Sequence, residues 1–125
     1  MTPEEILSRD LGEIAALIRD GAVDSRTVTA TVLEALEERG RALGAVARLW
    51  PERAMAEAEA CDRERAAGRL RGPLHGVPLV HKDMFYRAGE LTECGSRLFA
   101  GFRPTVTATV LERLDAAGAI DAGRT

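Results

Sequence analysis

The sequence predicts an α/β fold in which helices alternate with short strands. Three observations carry that prediction. Apolar residues recur at helical spacing through much of the first 68 positions. Short apolar runs at 45–50, 77–81 and 119–122 are too brief for helices and sit between helical stretches. Glycine and proline mark the boundaries. With 125 residues, 46% hydrophobic and 30% charged, the chain can form one packed domain and does not read as disordered.

The elements follow in order. Thr2-Pro3-Glu4-Glu5 has the form of a capping box with proline at the first helical position, so a short helix starts there. Ser8 is the expected cap of a second helix, with Leu11, Ile14, Ala15 and Ile18 on one face and Gly21 as its stop. Ser25 is the expected cap of a third, with Val28, Val32, Ala35 and Leu36 on one side, ended by Gly40. Ala45 to Trp50 suits a strand. Pro51 opens a fourth helix, rich in Ala, Glu and Arg, that ends near Gly68. Its charges between Glu52 and Arg65 read as a solvated face.

The second half changes character. Gly72-Pro73, Gly76 and Pro78 mark a loop that enters a strand over Val77 to His81. Met84 to Pro104 contains Gly89, Gly95 and Gly101 and no helical period, which predicts a long ordered loop of the kind that often carries function. Thr107 is the expected cap of a last helix with Val110, Leu111 and Leu114 inward, stopped by Gly118. Ala119 to Ala122 is the last strand. A sheet of about three short strands is smaller than the usual four to six. A strand so close to the chain end is expected to lack neighbours. The expectation is an incomplete domain with an exposed sheet edge open to self-association, unless an oligomer partner covers that edge.

Several function classes are excluded. A net charge of −3 and 4% aromatic residues supply neither the basic footprint nor the stacking platforms of a nucleic-acid partner. No apolar run reaches membrane-spanning length, so no membrane partner is expected. Cys61 and Cys94 form no CxxC pair, and no signal peptide precedes them, so free thiols and a cytoplasmic location are expected. His75 and His81, with Asp83 and Cys94, are conceivable metal ligands, but their spacing fits neither a helical pair nor a zinc site, so neither metal nor cofactor is expected. Gly72 to Gly76 is no phosphate loop, because no GK[ST] follows. Ser96 follows Gly95 without a G-x-S-x-G elbow and reads as a loop or pocket-lining hydroxyl.

Val80-His81-Lys82-Asp83 is a charged cluster directly after a buried strand. Alternation puts Val80 and Lys82 on one face and Leu79 and His81 on the other. A lysine at a strand end among glycine-rich loops is placed to face a pocket, and a lysine that loses its proton there can act as a general base. The plain alternative is a surface Lys82 paired with Asp83.

The segment Gly72-Pro73-Leu74-His75-Gly76-Val77-Pro78-Leu79-Val80-His81-Lys82-Asp83 closely resembles the GPLxGxPxxxKD segment of amidase-signature enzymes. Ala88-Gly89 and Cys94-Gly95-Ser96 resemble the AG and GS positions of that family, and Ala116-Ala117-Gly118-Ala119-Ile120 its following helix end and strand. Gly123-Arg124-Thr125 is similar to its GKT, with Arg124 in place of lysine. Ala15 to Arg19 and Ser25 fit its helical lead-in, so the resemblance covers essentially the whole chain.

The resemblance implies the N-terminal part of the amidase-signature fold, helices on a mixed sheet, with 1–68 a mainly helical lead-in and 69–125 the lysine-bearing part. It implies amide C–N hydrolysis by a Ser–cis-Ser–Lys relay on a small-molecule amide, with Lys82 as the base. Asp83, Gly95 and Ser96 would lie beside it. The Gly/Ser-rich segment with the two catalytic serines has no counterpart here, so the chain is expected to be inactive by itself. Asp121 stands where the family has an apolar strand residue and is expected to be paired, exposed or at an open edge. His81 stands where small or apolar residues are more usual. Two alternatives remain: the glutamine-hydrolysing subunit of a tRNA-dependent amidotransferase, and a non-catalytic binding domain on the same scaffold.

Overall fold

The computed structural model describes residues 1–125. Helix α1 (Pro3–Leu7) starts at the expected capping box, with the Thr2 hydroxyl accepting the Glu5 N–H and the Glu5 carboxylate accepting the Thr2 N–H. Helix α2 (Leu11–Asp20) is capped by Asp10 and not by Ser8, through a second capping box with Glu13. A carboxylate next to the first turn satisfies an N–H and complements the helix dipole together. Ser8 instead closes α1, donating its hydroxyl to the Glu5 carbonyl at 2.9 Å. Helix α3 (Ser25–Ala35) repeats the pattern, with Asp24 as its cap. Ser25 sits inside the first turn, fully buried, and donates its hydroxyl to the Gly76 carbonyl at 2.5 Å, which ties α3 to the loop ahead of the next strand. A single π turn, Leu36–Gly40, ends α3.

Strand β1 covers only Arg48–Leu49 of the apolar run. Helix α4 (Pro51–Ala66) and strand β2 (Pro78–His81) fall where the punctuation predicts. The long loop contains one 3-10 turn, Arg97–Phe99. Helix α5 (Thr109–Ala116) has Ala108 at its N-cap position, one residue after the expected cap. Thr107 accepts the Ala88 N–H at 3.1 Å instead and holds the two ends of the loop together. On α5, Leu111 is fully buried, whereas Val110 is exposed.

Strand β3 (Ile120–Arg124) is longer than expected and lies in the centre of a three-stranded mixed sheet of order β1-β3-β2. It pairs antiparallel with β1 and parallel with β2, with a bulge between Leu79 and Val80. The expectation that the last strand lacks neighbours is therefore corrected. The crossover through α5 lays β3 alongside β2, and β1 closes its other side. The free edges belong to β1 and β2. One apolar cluster joins α1, α2 and α3 to Val77, with Leu79 against it; a second joins Leu33 and α4 to Ile120 and Ala122, with Val80 against it. Leu79 and Val80 thus serve opposite faces. Both cysteines are free thiols; Cys61 is fully buried, which pushes it up to about 11, and Cys94 is exposed.

The Gly-Pro loop before β2 is pinned by His75. Its Nδ1 accepts the Arg71 N–H at 3.0 Å, and its Nε2 donates to the Cys61 carbonyl at 2.9 Å. Gly118 approaches the same loop with φ +93°, and a Cβ there would sit 2.9 Å from the His75 Cα. Gly118→Ala is therefore expected to cost about 1–3 kcal/mol, from backbone strain and the clash together. Gly12→Ala, in the first turn of α2 with an ordinary 3.4 Å contact, is expected to be neutral or slightly stabilising. Urea unfolding of both variants checks the contrast; equal midpoints would contradict it.

Candidate active site

The site forms where β2 and β3 end. The Met84 and Phe85 N–H groups both donate to the Lys82 carbonyl, at 2.7 and 3.1 Å, so the chain turns sharply once the lysine is passed. Thr125 N–H donates to the His81 carbonyl at 2.9 Å, and Asp83 N–H to the Thr125 carbonyl at 2.8 Å. These bonds stitch the carboxyl ends of two parallel strands together, the place where open α/β sheets bind ligands. The long loop returns to the same point, with Cys94 N–H donating to the Asp83 carbonyl at 2.9 Å. The result is an open cleft of about 740 Å³, with Lys82, Asp83, Gly95 and Ser96 all in its lining. Arg48, Glu93 and Arg97 line it as well.

Lys82 is the chain's only lysine. It is exposed, and its side chain makes no hydrogen bond or ion pair within the chain. Asp83 does not pair with it. That carboxylate is buried and bound by Arg48 Nη2, and its other oxygen accepts the Glu93 N–H at 3.3 Å. Gly95 (φ +62°) and Cys94 (φ +54°) are consecutive left-handed residues that turn the loop over the cleft. The Ser96 hydroxyl accepts the Leu98 N–H at 3.3 Å and caps the 3-10 turn.

Behind β2 lies a second charged group. Asp121 accepts from Arg87 Nε at 2.7 Å and Arg124 Nη1 at 2.8 Å, so it is paired, the first of its three expected states. Arg124 is fully buried, with its guanidinium 4.7 Å from the centre of the Trp50 ring. His81 faces Asp121 at 4.0 Å; burial lowers its pKa, and the carboxylate opposes that shift. The conceivable metal ligands are not brought together: His75 bonds to Cys61, His81 faces Asp121 and Asp83 binds Arg48.

Arg48, Glu93 and Arg87 are the residues that sequence reasoning missed. Arg48 lies 35 positions from Asp83 and Arg87 lies 34 from Asp121, so no local pattern announces either pair.

The family model described as Amidase matches residues 27–125. Among relatives, a glutamyl-tRNA(Gln) amidotransferase subunit of Alkalilimnicola ehrlichii is 42% identical over 116 residues, which are 93% of this chain and 24% of that protein. Among solved structures, the native peptide amidase of Stenotrophomonas maltophilia superposes with a TM-score of 0.83 at 41% identity, over 94% of this chain and 24% of that one. Fatty acid amide hydrolase, at 22% identity and a TM-score of 0.90, shares the fold over 100% of this chain and 22% of its own. The chain spans about a quarter of the length of these relatives. With a lysine-bearing strand end and its glycine loop around one cleft, and a family model matched from residue 27 to residue 125, the chain belongs to the amidase family.

Proposed function

We propose that the complete protein hydrolyses carboxylic amide C–N bonds through an acyl-serine intermediate, with Lys82 as the general base. The observation that carries this reading is an unpaired lysine at the carboxyl end of β2, in a cleft with the Gly95-Ser96 loop. In the relay, the Lys82 amine takes the proton of the nucleophilic serine by way of a bridging serine, and the freed oxygen attacks the amide carbonyl. Backbone N–H groups stabilise the tetrahedral oxyanion, and the departing amine takes the proton back. Water then releases the acid. Asp83 shapes the cleft without touching the reacting atoms, and Gly95 and Ser96 form its rim. The substrate class is a small amide, and no cofactor takes part. The amidotransferase relative, at 42% identity, supports a second reading, glutamine hydrolysis within a transamidating complex. Glutaminase activity that appears only when the other components of such a complex are present would select it.

The serines within these residues have other duties. Ser8 bonds to Glu5, Ser25 to Gly76, and Ser96 caps its turn. Residues 1–125 alone are therefore expected to show no amidase activity, whereas the complete protein is expected to form a hydroxamate when hydroxylamine intercepts the acyl-enzyme. Turnover of aryl or alkyl amides by residues 1–125, lost in Lys82→Ala, would overturn the relay.

A further inference from the structure

A carboxylate one residue away is the natural partner for an exposed ammonium, and Lys82 and Asp83 both line the cleft. The structure keeps them apart. Arg48, on β1, holds the Asp83 carboxylate through Nη2 and donates from the same nitrogen to the Leu91 carbonyl at 3.0 Å. Its Nη1 lies 3.2 Å from Glu93 Oε1, and Glu93 Oε2 accepts the Gly101 N–H at 2.8 Å. Both side-chain carboxylates of the cleft are thus committed to one guanidinium. The other titratable or charged side chains there are Lys82, Arg97 and Cys94.

We propose that Arg48 is a positioning residue that sequesters the Asp83 carboxylate and so keeps the Lys82 amine free of the ion pair its own neighbour would otherwise form. The inference rests on the reading of Lys82 as the base. An opposite charge within about 4–6 Å favours the charged form of a group. A lysine held as ammonium cannot accept the serine proton. Without Arg48 the Asp83 carboxylate would be buried and unpaired, a costly state that it escapes by swinging into the cleft towards Lys82.

The test uses the fact that the chain has only two kinds of amine, Lys82 and the N-terminal α-amine. Acetic anhydride is added in limiting amount at mildly alkaline pH to residues 1–125. Peptide mass spectrometry then gives the ratio of acetylated Lys82 to acetylated α-amine, which serves as an internal reference. Arg48→Gln is expected to lower the ratio about tenfold, as a new ion pair raises the ammonium population. Arg48→Gln with Asp83→Asn is expected to return it to within about twofold of the starting value, because no carboxylate remains to pair. Asp83→Asn alone should leave it unchanged or raise it. An unchanged ratio in folded Arg48→Gln, or a fall that persists in the double variant, overturns the proposal. If Arg48→Gln proves unfolded by circular dichroism, Asp83→Asn decides, and a fall there overturns it too. The labelling needs no turnover, so its failure is separate from a failure of Lys82 as catalyst. In the complete protein, a merely structural Arg48 would lose activity equally at all pH values. Sequestration predicts a loss concentrated at low pH and reversed by the second substitution.

Discussion

Lys82→Ala in the complete protein is expected to lower kcat/KM for amide hydrolysis by about 10²–10⁴-fold, the usual contribution of a positioned general base. Lys82→Arg should lose as much. Guanidinium remains charged throughout the accessible pH range and has no lone pair to take a proton, although it keeps the positive charge. The comparison therefore separates base catalysis from simple electrostatic attraction of substrate. Neither variant should disturb the fold. Within residues 1–125 Lys82 is exposed and makes no hydrogen bond or ion pair, so in this chain the stability change is expected to stay within about 0.5 kcal/mol. Steady-state kinetics with a chromogenic anilide, beside thermal melts, makes the measurement. Activity within a few fold of the unmodified enzyme, in either variant, would remove Lys82 from the mechanism and favour the non-catalytic reading of the scaffold.

What sequence reasoning reaches here depends on the range of the interaction. Thr2, Pro51 and the glycines act within a few residues, so the ends of α1 and α4 and the entry to β2 are legible. Ser8, Ser25 and Thr107 are equally good caps on paper. Asp10 and Asp24 take the caps expected of Ser8 and Ser25, and Ala108 stands at the start of α5 with no side-chain cap, while Ser25 and Thr107 found distant main-chain partners in Gly76 and Ala88. Lys82 was legible because its motif is contiguous. The ion pairs that surround it were not, since Arg48 and Glu93 meet Asp83 only after β1 and the long loop have been laid against the ends of β2 and β3. Asp121 shows the same limit. Its oddity in a strand was visible, whereas its partner Arg87 belongs to the loop and its partner Arg124 was read only as part of a motif.

That buried pair supports the second large effect, on stability. Asp121→Ala is expected to cost about 3–5 kcal/mol, because it leaves an uncompensated charge in the interior. Arg124 is fully buried, and with Asp121 removed its one remaining hydrogen-bond acceptor is its neighbour's carbonyl, Gly123 O at 2.8 Å. Its Nε and Nη2 already have no partner. Arg124→Met should behave very differently. Methionine keeps an unbranched stem against the Trp50 ring, removes the charge and both orphaned donors, and leaves Asp121 bound to Arg87 at 2.7 Å. Its expected effect is below about 1.5 kcal/mol in either direction, since exchanging a buried charge for an apolar group of similar shape is often neutral or better. The double variant, Asp121→Ala with Arg124→Met, should recover most of the loss of the first. Trp50, the only tryptophan, lies against the Arg124 guanidinium and reports unfolding directly in urea. Equal losses in the two single variants would mean that the ion pair itself stabilises the sheet. Full recovery in the double variant would show that Asp121 is needed chiefly because Arg124 is buried there.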